Sequence, residues 1–179
     1  MVKNVTAFLL AALVVITSTV GAQDHKPVSS ITTATLDEYR DQYQRSPLCS
    51  KNEITLWTCE KNRRLFSLCS STAATRTTGY LQYRASDAGK VTFVYPATKA
   101  PPSGLFQYNS FGNGNASVEF TNKGYNYTLM DPLRDHSSIL VSASGSPTKA
   151  TEIVCGSNQS LQGNYTMRLM YDFGIWLDD

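Results

Sequence analysis

Residues 53–70 read EITLWTCEKNRRLFSLCS and have the pattern of a β-hairpin. Apolar side chains are frequent in residues 54–57 and again in residues 65–68, and a charged tip at residues 60–64 separates the two runs. A hairpin that buries one face and exposes its turn produces this pattern. We therefore predict that the segment is the first hairpin of a β domain.

The beginning of the chain indicates export. Lys3 supplies a positive charge, residues 7–16 are apolar, and small residues end at Ala22, which is typical of a cleaved secretory signal peptide over residues 1–22. The apolar run is shorter than the roughly 20 residues that a membrane anchor needs. The first cysteine is Cys49, so no site for lipid attachment lies near the cleavage point. We expect a periplasmic or secreted protein without a membrane anchor.

The composition predicts one globular domain and argues against nucleic-acid binding. The chain of 179 residues is 41% hydrophobic and 17% charged, which suits a single folded domain. Removing Lys3 with the signal peptide leaves 15 basic and 14 acidic side chains. A nucleic-acid-binding protein is expected to carry a basic patch. The one local basic cluster is Lys61, Arg63 and Arg64, which we assign to the solvated hairpin tip.

The first part of the mature chain has no strand pattern. Residues 23–47 form a polar lead-in that we expect to lie outside the core. Within it, Thr35 and Glu38 have the spacing of a capping box, which predicts a short helix from Leu36 to about Gln44. The remaining residues, 48–179, are predicted to form a single disulfide-bonded β domain.

Further strand patterns follow the first hairpin, separated by turn residues such as Gly89 and Gly124 and by the proline-rich residues 96–104. We predict a mainly β fold, an antiparallel β-sandwich or barrel of seven to eight short strands. The tail, residues 165–177, fits either a strand or a helix that is interrupted near Gly174. The later strands are expected at residues 79–85, 90–95, 116–121, 125–130, 139–141 and 153–155.

Four cysteines in an exported chain indicate two disulfides. A tight turn around Asn62 would leave Cys69 about four residues beyond the position opposite Cys59, out of disulfide reach at about 3.3 Å per residue. This geometry favours bonds from Cys59 and Cys69 to Cys49 and Cys155, in some order. A wider tip would instead allow Cys59 to bond Cys69, and Cys49 to bond Cys155. Spacings of ten, ten and 86 residues do not fit a zinc site.

No catalytic motif is evident. A hydrolytic triad requires a histidine, and the mature chain has His25 in the lead-in and His136 beside Asp135 and Ser137. Neither a G-x-S-x-G elbow nor an H-E-x-x-H pair occurs. We therefore predict a protein that is not an enzyme, with no catalytic residues, no cofactor and no metal.

Glycan hydrolysis is the enzymatic alternative, because it requires only two carboxylates. Glu53 and Glu119 are the candidates, each placed in a predicted strand. We expect both side chains to face solvent, since charged residues are rarely buried.

A binding surface is the favoured type of site. Residues 101–111 are rich in aromatic and proline residues, and loops on a stiff sheet often carry recognition. This interpretation makes Tyr108 and Phe111 partner-binding residues. The alternatives are that these aromatic side chains fold back over the core, and that the protein is an envelope carbohydrate-binding or structural module.

The plan of a signal peptide followed by one cysteine-bridged antiparallel domain resembles small periplasmic inhibitor and immunity proteins of bacteria. Residues 144–147, Ser-Gly-Ser-Pro, are similar to the Ser-Gly-x-x-Tyr binding loop of periplasmic inhibitors of C-type lysozyme, with Thr148 at the tyrosine position. The resemblance implies that Ser144 enters the cleft of an enzyme, with Lys149 as a basic neighbour. The expected partner is a protein, either a cell-wall hydrolase or a toxin.

Overall fold

The computed structural model describes residues 31, 33–39, 44–156, 160–161 and 163–176, and this part of the chain forms ten β-strands and two α-helices. The expected signal peptide, residues 1–22, lies outside the described residues. The elements in chain order are α1 (Leu36–Tyr39), β1 (Glu53–Lys61), β2 (Arg64–Ser71), β3 (Leu81–Asp87), β4 (Lys90–Tyr95), β5 (Gln107–Ser110), β6 (Ala116–Asn122), β7 (Tyr125–Asp131), β8 (Ser138–Ala143), β9 (Thr151–Val154), β10 (Ser160–Leu161) and α2 (Gly163–Asp172).

The strands form two antiparallel sheets of five strands each. The first sheet has the order β10-β1-β2-β3-β4, and the second has the order β5-β6-β7-β8-β9. Buried side chains of both sheets form one hydrophobic core. The predicted antiparallel sandwich is confirmed. The expected number of strands was too low, because β5 and β10 are short and lie in segments without a clear alternating pattern.

The predicted hairpin turns are confirmed. Lys61 pairs with Arg64 across the first turn, where Asn62 has φ +57°. The turn between β3 and β4 is formed by Ala88 and Gly89, and Lys123 and Gly124 form the corresponding turn between β6 and β7. Both residues of each of these two turns have positive φ, between 48° and 81°. Such two-residue turns match the right-handed twist of the flanking strands, so they fix the register of each hairpin.

Aromatic side chains join the inner faces of the two sheets. Phe120 of β6 stacks between Tyr95 of β4 and Tyr127 of β7, with ring centroids 4.5 Å and 4.7 Å away. Tyr83 of β3 contacts Phe120 at 5.1 Å, and its burial raises the pKa of its hydroxyl far above the usual range. These contacts make the centre of the sandwich an aromatic cluster.

The first hairpin is buried on both faces, which differs from the prediction that it buries only one. Every residue of β1 from Glu53 to Cys59 is buried. The outer face is covered by residues 44–51, which we call the strap. Its Ser46 N–H donates to Thr55 Oγ1 at 2.9 Å, and Ser46 Oγ lies 2.5 Å from Ser67 Oγ.

The lead-in is therefore not wholly outside the core. Ser46 is 3% exposed, Ala34 is 8% exposed and Leu36 packs against the core. The helix α1 begins at Leu36 as predicted, and Glu38 accepts a hydrogen bond from the Thr35 N–H at 3.0 Å. Its expected continuation through residues 40–43 lies outside the described residues. No helix in the described ranges has the length and apolar character needed to cross a membrane.

The tail is a helix rather than a strand. Gly174, with φ +64°, ends α2, and the Ile175 N–H donates to the Met170 carbonyl at 3.0 Å. This is a Schellman motif, which needs a residue that adopts positive φ easily. The next residues return to the sheet, because the Tyr108 N–H donates to the Ile175 carbonyl at 2.8 Å.

Two disulfides, Cys49–Cys69 and Cys59–Cys155, cross-link the fold. Cys59 lies opposite Phe66, near the start of β2, so the tight turn keeps it away from Cys69 as expected. The first bond ties the strap to β2. The second joins the end of β1 to the residue after β9, and therefore connects the two sheets.

Removing the bond between the sheets is expected to destabilise the protein more than removing the bond to the strap. The bonds span 96 and 20 residues, which in the loop-entropy description correspond to about 5 and about 3 kcal/mol. The paired variants Cys59→Ala/Cys155→Ala and Cys49→Ala/Cys69→Ala should show this order in the free energy of unfolding from urea titration. Equal losses of stability in the two paired variants, or a larger loss in Cys49→Ala/Cys69→Ala, would contradict the expectation that the bond between the sheets contributes more.

Candidate functional site

Glu53 is the centre of a buried polar cluster on the outer face of the first sheet. Its carboxylate accepts two hydrogen bonds from the Arg84 guanidinium, at 2.6 Å and 2.7 Å. It also accepts from the Tyr80 hydroxyl at 2.5 Å, from the Ser50 N–H at 2.7 Å and from Lys99 Nζ at 3.1 Å. Both carboxylate oxygens are thus fully occupied by donors from the protein itself.

The expectation that Glu53 faces solvent was wrong, since its side chain is 1% exposed. Burial alone would raise the pKa of the Glu53 carboxyl, but hydrogen bonds from Arg84, Tyr80, Ser50 and Lys99 hold it far below its usual range. A carboxyl that stays ionised cannot act as a general acid near neutral pH. Because both carboxylate oxygens are also bonded to donors of the protein, the geometry supports a structural role for the cluster.

The cluster holds two neighbouring segments in place. Arg84 donates to the Leu48 carbonyl at 2.7 Å and so binds the strap. Lys99 reaches Glu53 from the proline-rich segment and lies 4.2 Å above the Tyr80 ring. In that segment the Pro96 carbonyl accepts from Gln82 at 2.8 Å. Strap and proline-rich segment are fixed against the same sheet face.

Potential metal ligands also meet at this place. In the described part of the chain, Cys49, Glu53 and Cys69 are the group of three whose ligand atoms lie within 4.8 Å of one another. The two sulfurs are bonded to each other, and a metal would need them as thiolates. The residues present do not fit a metal ion.

Stability should depend on pH through Glu53. Its folded-state pKa is lower than its ordinary value of 4.5, so its contribution is present above about pH 4.5 and is lost as the pH falls further. Glu53→Gln should cost about 3 to 5 kcal/mol at pH 7, because it leaves Arg84 without its partner. The cost should shrink below pH 4.5.

Thermal and urea unfolding at a series of pH values measures this dependence. Glu60→Gln, on the same strand but exposed, is the matched control and should cost little. The double variant Glu53→Gln/Arg84→Met should recover part of the loss. A Glu53→Gln cost that is independent of pH would contradict the ion-pair explanation.

The histidine considered for hydrolysis is not joined to its sequence neighbours by a catalytic hydrogen bond. His136 is exposed, and its backbone N–H, not its imidazole, donates to the Asp135 carboxylate at 2.7 Å. Ser137 is buried, and its hydroxyl donates to Asp131 Oδ1 at 2.7 Å. Burial raises the pKa of Asp131 above its ordinary value despite this hydrogen bond.

Asp131→Asn is expected to stabilise the protein at neutral pH. Because the folded-state pKa of Asp131 is raised above 3.8, the wild type loses stability as the pH rises through that folded-state value. The amide keeps an oxygen that accepts from Ser137 but carries no charge. Unfolding curves should show the variant more stable at pH 7 and similar to the wild type below about pH 3.8, the ordinary value. A variant that is less stable at pH 7 would show that the charge is needed.

A cleft of about 700 Å³ opens beside the second sheet. It lies where β6 continues past the start of β5, since Gln107 at the start of β5 pairs with Glu119 and leaves Phe120–Asn122 beyond it. Side chains of four strands, β5 to β8, form its polar floor on the sheet face opposite the core. These polar side chains are Gln107, Glu119, Thr121, Asn126, Thr128 and Ser142.

The register of the second sheet explains how these side chains come together. Glu119 pairs with Gln107 on one side and with Thr128 on the other, and Thr128 pairs with Leu140. Directly paired residues point to the same face of a sheet. Because alternate residues such as Val118 point into the core, the polar residues form a row across the outer face.

Glu119 differs from Glu53 in its surroundings. Its carboxylate is half-buried and accepts one hydrogen bond, from the Ser117 hydroxyl at 3.3 Å. It forms no ion pair within the described residues. The cleft contains no lysine or arginine among its described lining residues. Glu119 therefore keeps hydrogen-bonding capacity that a ligand could use.

Aromatic residues line other parts of the same cleft, including Tyr95, Tyr127 and Trp176. Trp176 packs on Tyr108 with ring centroids 4.8 Å apart. Tyr108 itself is 3% exposed, and burial together with the nearby Asp131 charge raises its pKa to about 12. Tyr95 and Tyr127 belong to the aromatic cluster between the sheets, so the cleft has polar residues on the outer face of the second sheet and aromatic residues on its inner side.

The two predicted aromatic binding residues have different positions. Tyr108 folds into the core under Trp176, so its ring presents little surface to a partner, in agreement with the alternative that these aromatics cover the core. Phe111 is 50% exposed in the loop between β5 and β6. Neither residue lines the cleft. Their roles in partner binding remain predictions.

The predicted loop between β8 and β9 lies beside the cleft. Its Pro147 and Ala150 line the cleft, and Lys149 between them is exposed. Ser144 is also exposed, but its hydroxyl donates to Asn126 Oδ1 at 3.0 Å and so anchors the loop to the cleft floor. Ser144 and Lys149 are thus adjacent to the site, and their contacts with a partner remain predictions.

No family model, curated protein or solved structure matches this chain.

The sequence indicated Glu119 as a candidate catalytic carboxylate but did not predict the cleft. The polar floor could have been found from the alternation in β6 and β7, which places Glu119, Thr121, Asn126 and Thr128 on one face. No sequence pattern predicted that Trp176 lines the cleft, because its position depends on how the residues after α2 pack against β5.

Proposed function

We propose that this protein is an exported, non-enzymatic binding protein that neutralises a protein target, either a cell-wall hydrolase or a toxin. The cleft and the adjacent loop of residues 144–150 would form its recognition surface. The observation that carries the proposal is this cleft, built on a sheet that a disulfide ties to its neighbour. A stiff surface loses little conformational entropy when it binds.

Export is supported by two observations. The pattern of residues 1–22 is that of a signal peptide. All four cysteines are paired, which is typical of proteins that fold in an oxidising compartment. The periplasmic location and the inhibitor role rest on the resemblance to small periplasmic inhibitor and immunity proteins.

Glycan hydrolysis by two carboxylates has less support than binding. Such hydrolysis needs two carboxyl groups that flank one bond, about 5 to 10 Å apart. Glu119 is the carboxylate among the described lining residues of the cleft, whereas Glu53 lies in the other sheet and is occupied by Arg84. The structure does not bring the proposed pair into one cleft.

A carbohydrate-binding module is the second candidate. Hydroxyl and amide side chains on the cleft floor, together with Trp176, could bind sugar hydroxyls and a sugar face. Binding of soluble cell-wall oligosaccharides to the wild type, measured by calorimetry, would favour this candidate over a protein target.

The test of the proposed function compares two variants that carry the same substitution. Thr121→Arg places a long charged side chain in the cleft, and Thr92→Arg places it on β4 of the other sheet. Both threonines are exposed, and each hydroxyl makes one hydrogen bond. Candidate hydrolases and toxins are titrated with each protein, and their residual activity is measured.

The wild type and Thr92→Arg should inhibit one target to completion at a one-to-one ratio. Thr121→Arg should weaken that inhibition by about tenfold or more, because it blocks the cleft and the buried contacts of an interface carry most of its affinity. Absence of inhibition across all candidate targets, or equal inhibition by the two variants, would contradict the proposal.

A further inference from the structure

We propose that the cleft binds a cationic side chain, a guanidinium or an ammonium group, with Glu119 as its counter-ion. This inference rests on the proposed function and names the chemistry of the part of the partner that enters the cleft. The site consists of the Glu119 carboxylate and the polar side chains around it on the cleft floor.

The first argument is the charge of the cleft. Glu119 is half-buried, so it has lost part of its hydration. No described lysine or arginine lines the cleft, and neither Lys123 of the β6–β7 turn nor Lys149 of the adjacent loop forms an ion pair with Glu119. A partly buried carboxylate with one long hydrogen bond and no counter-ion gains charge-assisted hydrogen bonds when a cationic ligand binds.

The second argument is the contrast with Glu53. That carboxylate accepts five hydrogen bonds from the protein, including those of Arg84 and Lys99. Glu119 accepts one hydrogen bond, at 3.3 Å. The protein therefore pairs the structural carboxylate of Glu53 with its own cations, but it provides no cation for Glu119, which faces the cleft.

The third argument is the arrangement of the lining residues. Gln107 and Thr128 flank Glu119 in the register of the sheet and offer additional oxygen acceptors. A guanidinium presents several N–H donors in one plane and can therefore bond to Glu119 and to these neighbouring acceptors together. A neutral sugar would use the acceptors but would not neutralise Glu119.

A titration with two matched probes tests the inference. The mature, disulfide-bonded protein is titrated with N-acetyl-arginine amide and with N-acetyl-citrulline amide, which has nearly the same shape without the charge. Chemical shifts of the backbone amides are followed by NMR. The arginine probe should shift the resonances of β5, β6 and residues 174–176, and the citrulline probe should bind at least about tenfold more weakly.

Two variants identify the counter-ion. Glu119→Gln should weaken binding of the arginine probe by about tenfold or more, because an amide cannot replace a charge-assisted hydrogen bond. Glu152→Gln is the matched control. Glu152 is exposed and lies opposite Leu140 on the same face, outside the cleft lining. The Glu152→Gln substitution changes the net charge by the same amount as Glu119→Gln and should leave the affinity for the arginine probe within about twofold. Circular dichroism confirms that both variants are folded.

The outcomes separate this inference from the proposed function. Three results would overturn the inference that the ligand is cationic. They are equal binding of the two probes, unchanged affinity for the arginine probe in Glu119→Gln, and preferential binding of a chitin oligosaccharide in the cleft. Stoichiometric inhibition of a target that Thr121→Arg weakens would leave the proposed function in place in each of these cases. Selective binding of the arginine probe without any inhibited target would support the site and contradict the proposed function.

Discussion

The burial of the first hairpin on both faces is the constraint on which the rest of the structure depends. Its inner face is apolar, but its outer face carries hydroxyls and the Glu53 carboxylate, and buried polar groups are nearly always hydrogen-bonded. The strap supplies Ser46 and backbone groups, and β3 supplies Arg84. Covering this face therefore requires the strap, the Cys49–Cys69 bond and the polar cluster together.

The second disulfide connects that hairpin to the sheet that carries the cleft. Cys59 lies at the end of β1, and Cys155 directly follows β9. The aromatic contacts around Phe120 join the sheets a second time. The cleft wall formed by residues 174–176 is held by the bond between Tyr108 and Ile175. The recognition surface is thus supported by parts of the chain that are distant in sequence.

Local patterns were sufficient for the hairpins and insufficient for the surfaces that cover them. The turns at Asn62, Gly89 and Gly124 and the alternation in β6 are local features, so strands and turns could be predicted from them. The burial of Glu53 could not be predicted, because Arg84 and the strap reach it through tertiary contacts. The cleft was missed for the same reason: its shape depends on where β5 begins relative to β6.

Glu53 and Glu119 show how one residue type acquires two roles in one fold. Both lie on outer sheet faces, yet one is enclosed by donors and the other borders a cleft. In the first case the protein's own donors bond to the carboxylate. These hydrogen bonds contribute to folding stability and leave the carboxylate few acceptor positions for a ligand. In the second case folding leaves the charge only partly satisfied. Because the cost of an uncompensated charge falls when a cation binds, the incompletely bonded carboxylate is the one available for recognition.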